Sequence, residues 1–130
     1  MKNFSTRLVV DALPEDVYAA LTNPFAIELW TGYKAIMCTE PGSEFELWEG
    51  DICGRNIRFE QDRLIEQEWY FGEQELESIV TIRIYPRGAK KSQIAIEHIN
   101  IPDDAYQDIV EGWNDPYLSS LKLFLEEGDE

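Results

Sequence analysis

The stretch from Asp103 to Glu127 carries the pattern that most limits what this chain can become. It reads DDAYQDIVEGWNDPYLSSLKLFLEE. Tyr106, Ile109, Val110, Trp113, Tyr117, Leu121, Phe124 and Leu125 recur at steps of three, four and one, which gathers side chains on one face of a helix. Asp103, Asp104 and Asp108 fall in or near the first turn, where the positive end of the helix dipole favours carboxylates. Burying each large apolar side chain of such a face contributes about 1.5–3 kcal/mol before entropy is subtracted. A face this broad and aromatic needs a cover along its length, and only a sheet supplies one.

Pro116 interrupts that helix. It removes one hydrogen bond and crowds the carbonyl four residues back, which belongs to Gly112. A kink near Asn114–Asp115 follows, with Asp115 placed to recap the second half. Gly112–Trp113 reads first as a packing notch that lets the helix approach the sheet, and second as pocket lining.

The 130 residues fit a single domain, 1–130, around one core. A net charge of −15, with no basic patch, argues against nucleic acid and anionic membranes as partners. No apolar run approaches membrane-spanning length, and Met1–Ser5 lacks the apolar centre of a signal peptide. Cys38 and Cys53 form no disulfide framework, which points to a reduced, cytoplasmic compartment. One histidine, no paired-cysteine motif and no calcium-type acidic loop imply no metal and no other cofactor.

In chain order, Lys2 to Asp11 alternates as a first strand. Leu13 to Leu21 and Phe25 to Trp30 are short helices, with Pro14 at a first helical position and Asn23 as a cap. In immediate succession they make a corner rather than a crossover. Lys34–Thr39, Glu44–Trp48, Ile52–Glu60, Leu64–Phe71, Leu76–Tyr85 and Ser92–Ile101 then alternate at period two as an antiparallel meander. Gly54 marks a bulge or a close approach. The fold class is α+β: a curved antiparallel sheet of six to seven strands wrapped around a long C-terminal helix, with two short helices between the first two strands.

That order is the helix-grip arrangement, and the residues carry the likeness further. Pro14-Glu15-Asp16-Val17-Tyr18-Ala19-Ala20-Leu21-Thr22, Trp30, Phe45-Glu46-Leu47-Trp48, Gly54-Arg55-Asn56, Trp69, Ser78, His98 and Gly112-Trp113…Leu121-Lys122 resemble the START-like (SRPBCC) superfamily. Within it they are most similar to the C-terminal domain of the activator of the heat-shock protein 90 ATPase. Leu13 departs from the pattern, standing where such sequences often have a Ser or Asp cap.

The resemblance implies a cavity between sheet and helix. Strand alternation assigns its inner wall: Ser78, Val80, Ile82 and Ile84; Ser92, Ile94, Ile96 and His98; Ile65, Gln67, Trp69 and Phe71. Tyr106, Trp113 and Tyr117 face them from the helix, and Trp30 and Trp48 stand at the rim. Among these, Trp30, Trp48, Gln67, Trp69, Ser78, Val80, Ile96, His98, Tyr106, Trp113 and Tyr117 are the candidate ligand-binding residues. Gln67, Ser78 and His98 are the informative ones, because a buried polar group needs a partner. His98 reads first as a core histidine bonded to Ser78, a helix residue or water, and second as a ligand contact. With no orienting group beside it, no catalytic residue is assigned.

The resemblance implies non-catalytic binding of a small apolar or amphipathic molecule. The alternatives are a co-chaperone that binds a heat-shock protein 90 type ATPase, and a cyclase- or hydrolase-like enzyme using the same cavity. As a single domain, the chain is not expected to stimulate such an ATPase. Ligand identity and oligomeric state stay open.

Overall fold

A computed structural model describes residues 1–127 of the chain. The first strand, β1 (Lys2–Val10), leads into two short helices, α1 (Pro14–Thr22) and α2 (Pro24–Thr31). Leu13 sits at the cap position of α1 with no side-chain bond, so the helix starts on Pro14 alone. Asn23 caps α2: its Oδ1 accepts from the Phe25 N–H at 2.9 Å. The meander is β2 (Glu44–Leu47), a 3₁₀ turn (Trp48–Gly50), β3 (Ile52–Glu60), β4 (Leu64–Trp69), β5 (Ser78–Pro86) and β6 (Ser92–Ile101).

The sheet has six strands in the order β1-β6-β5-β4-β3-β2, antiparallel throughout. β1 and β2 therefore lie at opposite edges. The helical corner expected between them is instead a bridge across the sheet, with α1 packed on β5. Alternation along a strand does not reveal which strand becomes its neighbour. Lys34–Thr39 also departs from expectation. It makes one isolated bridge, Ile36 to Glu46, rather than a strand. Part of its backbone is held by a side chain instead, since Asn56 Nδ2 donates to the Cys38 carbonyl at 3.3 Å.

The ladder between β3 and β4 slips between Asn56 and Arg58, so the irregularity falls at Ile57 and not at Gly54. Gly54 is the close approach. A Cβ built there would lie 1.8 Å from the Glu68 carbonyl oxygen and 3.0 Å from the Phe45 ring. The inward residues of β4, β5 and β6 are buried, as period two requires: Ile65, Gln67, Trp69; Ser78, Val80, Ile82, Ile84; Ser92, Ile94, Ile96, His98.

The C-terminal helix covers this wall in three pieces: α3 (Tyr106–Gly112), a π-helical turn (Trp113–Leu118) and α4 (Ser119–Glu127). Trp113, Tyr117, Leu118, Leu121 and Leu125 are its buried residues. Its two ends are tied to the first strand and its flanks. The chain's N-terminal ammonium meets Asp103 at 2.8 Å, and Lys122 Nζ donates to the Val9 carbonyl at 3.2 Å. Among the described residues no helix is long and apolar enough to cross a membrane.

Gly54→Ala forces a methyl group into a backbone carbonyl that cannot step aside without breaking the β3–β4 ladder. We expect a loss of about 3 kcal/mol, read as a lower urea midpoint. An unchanged midpoint would contradict the close approach.

Candidate functional site

The site begins with the helix break. Pro116 has no N–H to give the Gly112 carbonyl, and Asp115 leaves helical geometry altogether (φ −154°, ψ 117°). The Asp115–Pro116 peptide is cis. The Ser119 N–H then reaches back five residues to the Asn114 carbonyl, so the turn is wider than an α-helical one. Ser119 Oγ donates to Asp115 Oδ1 at 2.6 Å, which fixes the expected kink at Asp115. Gly112 is no packing notch: a Cβ there would meet nothing within 4 Å.

Trp113 projects from the break into the sheet. Its ring stacks on Trp69 with centroids 4.8 Å apart and planes 20° off parallel. Its Nε1–H donates to His98 Nδ1 at 3.0 Å. A nitrogen that accepts carries no proton, so in a neutral ring the proton is on Nε2, which lies 2.8 Å from Ser78 Oγ. Ser78 then donates to the Ile99 carbonyl at 3.2 Å. Each member of this chain is satisfied, as buried polar groups must be. Burial holds the His98 pKa down at about 4, against an ordinary value of 6.5. With both nitrogens engaged, His98 has no free lone pair for base catalysis.

A second polar chain runs beside it. Trp69 Nε1 donates to Gln67 Oε1 at 3.1 Å, Gln67 Nε2 to Asn56 Oδ1 at 3.0 Å, and Asn56 Nδ2 to Ser43 Oγ at 3.1 Å. Asn56 is fully buried and completes this network. The sequence offers Asn56 only as part of the Gly54-Arg55-Asn56 likeness, with nothing that places it at the centre of a polar network.

Where the break widens the helix, a hollow of about 230 Å³ opens between helix and sheet. Gly112, Trp113, Pro116 and Tyr117 border it from the break, and Asp108 and Ile109 from α3. Trp48, Asp51 and Ile52 border it from the turn into β3, and Trp69 from the end of β4. Trp48 and Glu49 hold left-handed backbone, with φ of 50° and 57°. That conformation is uncommon for a bulky side chain and concentrates at functional positions. Trp30 stands behind, its indole donating to the Ala20 carbonyl at 2.8 Å and its ring edge-on to Trp48 and Tyr117 at 5.5 and 5.2 Å. A larger dent of about 440 Å³ lies elsewhere, beside Pro14, but Glu60, Asp62, Arg63 and Arg83 are among its walls. Four of the nine residues around that dent are charged and one is aromatic, whereas four of the ten around the hollow are aromatic.

Of the eleven candidate residues, Trp48, Trp69, Trp113 and Tyr117 border the hollow. Gln67, Ser78, Val80, Ile96 and His98 are buried wall that does not reach it, and Trp30 backs it. Tyr106 stands apart, with Lys2 Nζ 5.0 Å from its ring centre. The sequence reads Asp51 as part of a turn, Ile52 as the start of a strand, Asp108 as a first-turn acid, Ile109 as part of the helix's apolar face and Pro116 as its break, none of them as lining.

Residues 11–126 match the family described as Activator of Hsp90 ATPase homolog 1-like protein. The chain belongs to this family. A Dictyostelium discoideum protein described as an activator of 90 kDa heat shock protein ATPase homolog is 28% identical over 111 residues. That match covers 84% of this chain but only 29% of the relative, so the chain spans under a third of that protein's length. Two solved structures share the fold. An HSP90 activator from Plasmodium falciparum superposes with a TM-score of 0.87 at 20% identity, over 96% of both chains. An Aha1 dimer from Colwellia psychrerythraea does so at 0.84 and 19% identity, over all of both.

The network around His98 makes stability depend on pH in this family member. The unfolded histidine takes up its proton near pH 6.5 and the folded one only near 4, so the unfolded state binds more protons in between. This contribution is full above 6.5 and is lost as pH falls toward about 4, amounting to on the order of 3 kcal/mol. Urea denaturation across that range should show the wild type losing more stability than His98→Gln; parallel curves would contradict the assignment.

Proposed function

We propose that the protein is a non-catalytic binder of a small, largely apolar molecule, held at the helix break. One observation carries this reading: the hollow is preformed and has aromatic walls contributed by both sheet and helix. Its volume, about 230 Å³, falls below the roughly 300–1,000 Å³ of drug-sized sites, so the occupant is small, on the scale of one ring with a short tail. The engagement of both His98 nitrogens favours binding over acid–base chemistry.

A second reading is favoured by family membership: docking onto a heat-shock protein 90 type ATPase, the partner named in the relatives' descriptions. Retention of the chain by such a purified ATPase at low salt would support it, and clean separation would retire it.

Gly112→Leu tests the first reading, because its side chain enters open space and a helical glycine is lost rather than gained. The variant should fold at least as stably as the wild type. Native mass spectrometry should show a retained small molecule on wild type and none on the variant, and 2-phenylethanol should raise the melting temperature of the wild type only. A bare wild-type mass together with no thermal shift would overturn the reading.

A further inference from the structure

We propose that the molecule taken by this hollow is a small organic cation, an amine or quaternary ammonium on an apolar body. This inference rests on the reading of the hollow as a binding site and specifies its chemistry.

The charged residues bordering the hollow are of one sign. Asp51 enters from the sheet side and Asp108 from the helix side, while among the described residues no lysine or arginine borders it. Both aspartates are exposed, and among the described residues neither carboxylate joins an ion pair. Two solvated acids alone would mean nothing; these stand over an aromatic wall. The rings of Trp48, Trp69, Trp113 and Tyr117 carry negative potential on their faces, which attracts a cation within about 6 Å of a ring centre. The chain makes one such contact already, Lys2 over Tyr106.

Tyr117 supplies an independent sign that a polar group belongs here. The residue is 4% exposed, and no hydrogen bond between described side chains uses its hydroxyl. No sealed polar side-chain atom among those residues lacks a partner, so this hydroxyl keeps a small accessible area, and Tyr117 is one of the residues bordering the hollow. Burial pushes the phenol well above its ordinary pKa, so it stays neutral. A neutral phenol oxygen accepts a hydrogen bond from an ammonium N–H. A carboxylate or sulfate ligand would gain that one bond but meet two carboxylates and a chain of net charge −15.

Three probes of matched size separate the possibilities: 2-phenylethylamine, 2-phenylethanol and phenylacetate. Titration calorimetry should rank them amine, then alcohol, then anion, with the amine ahead of the alcohol by about tenfold. In NMR spectra the indole N–H signals of Trp48, Trp69 and Trp113 should move on binding. Asp51→Asn with Asp108→Asn should cut the amine's advantage at least severalfold, leaving what the rings supply, and leave alcohol binding intact. Asp16→Asn with Asp62→Asn, which removes the same charge away from the hollow, should leave the advantage in place. Equal binding of amine and alcohol to the wild type, or an equal cut in the advantage in both variants, overturns the cation assignment while the hollow remains a binding site. Binding of none of the three removes that reading as well.

Discussion

Everything in this structure hangs on the indole of Trp113. It leaves the helix at the point where the helix breaks, stacks on Trp69 and donates its one N–H to His98. Stacking contributes about 0.5–1.5 kcal/mol beyond burial, and the buried hydrogen bond leaves an unpaired acceptor if it is lost. Helix and sheet are thereby held at a fixed distance at the break. Elsewhere the two close over aliphatic side chains, with Leu121 and Leu125 buried beneath α4.

That fixed distance explains why a hollow exists without ruining the fold. A sealed void of about 230 Å³ would cost about 5 kcal/mol, a large part of a domain's stability. This one is bordered by the exposed Asp51, Asp108 and Pro116, so it opens to water and incurs no such penalty. The break that opens it is equally well supported, because Asp115 takes up Ser119 and the wider turn redistributes the backbone bonds around Pro116. Family membership over residues 11–126 fits the same arrangement of sheet and terminal helix.

The sheet was legible because period two is a local property: β3 and β6 begin and end where alternation begins and ends. The bond between His98 and Ser78 was legible too, since both lie on inward positions of strands that pair. What pairs with what over long distances was not. The bridge from β1 to the far edge, the failure of Lys34–Thr39 to join the ladder and the role of Asn56 all depend on contacts between distant segments. The lining was half legible for the same reason. Aromatic residues announce burial, but Asp51 reads as a turn residue and Asp108 as a first-turn acid until the break in the helix brings a hollow up against them. The first reading of Gly112, a packing notch, fails because glycine signals either close contact or free space, and the neighbours decide for the second: Gly112 borders the hollow.

The direct test of the account is a crystal of the chain examined under xenon pressure, because xenon displaces loosely held water from apolar walls and finds no room in packed core. The account predicts a xenon peak bounded by Trp48, Ile52, Trp113 and Tyr117, with the Trp113 indole still on His98. Side chains of that group collapsed into the space, with no xenon between them, would contradict it.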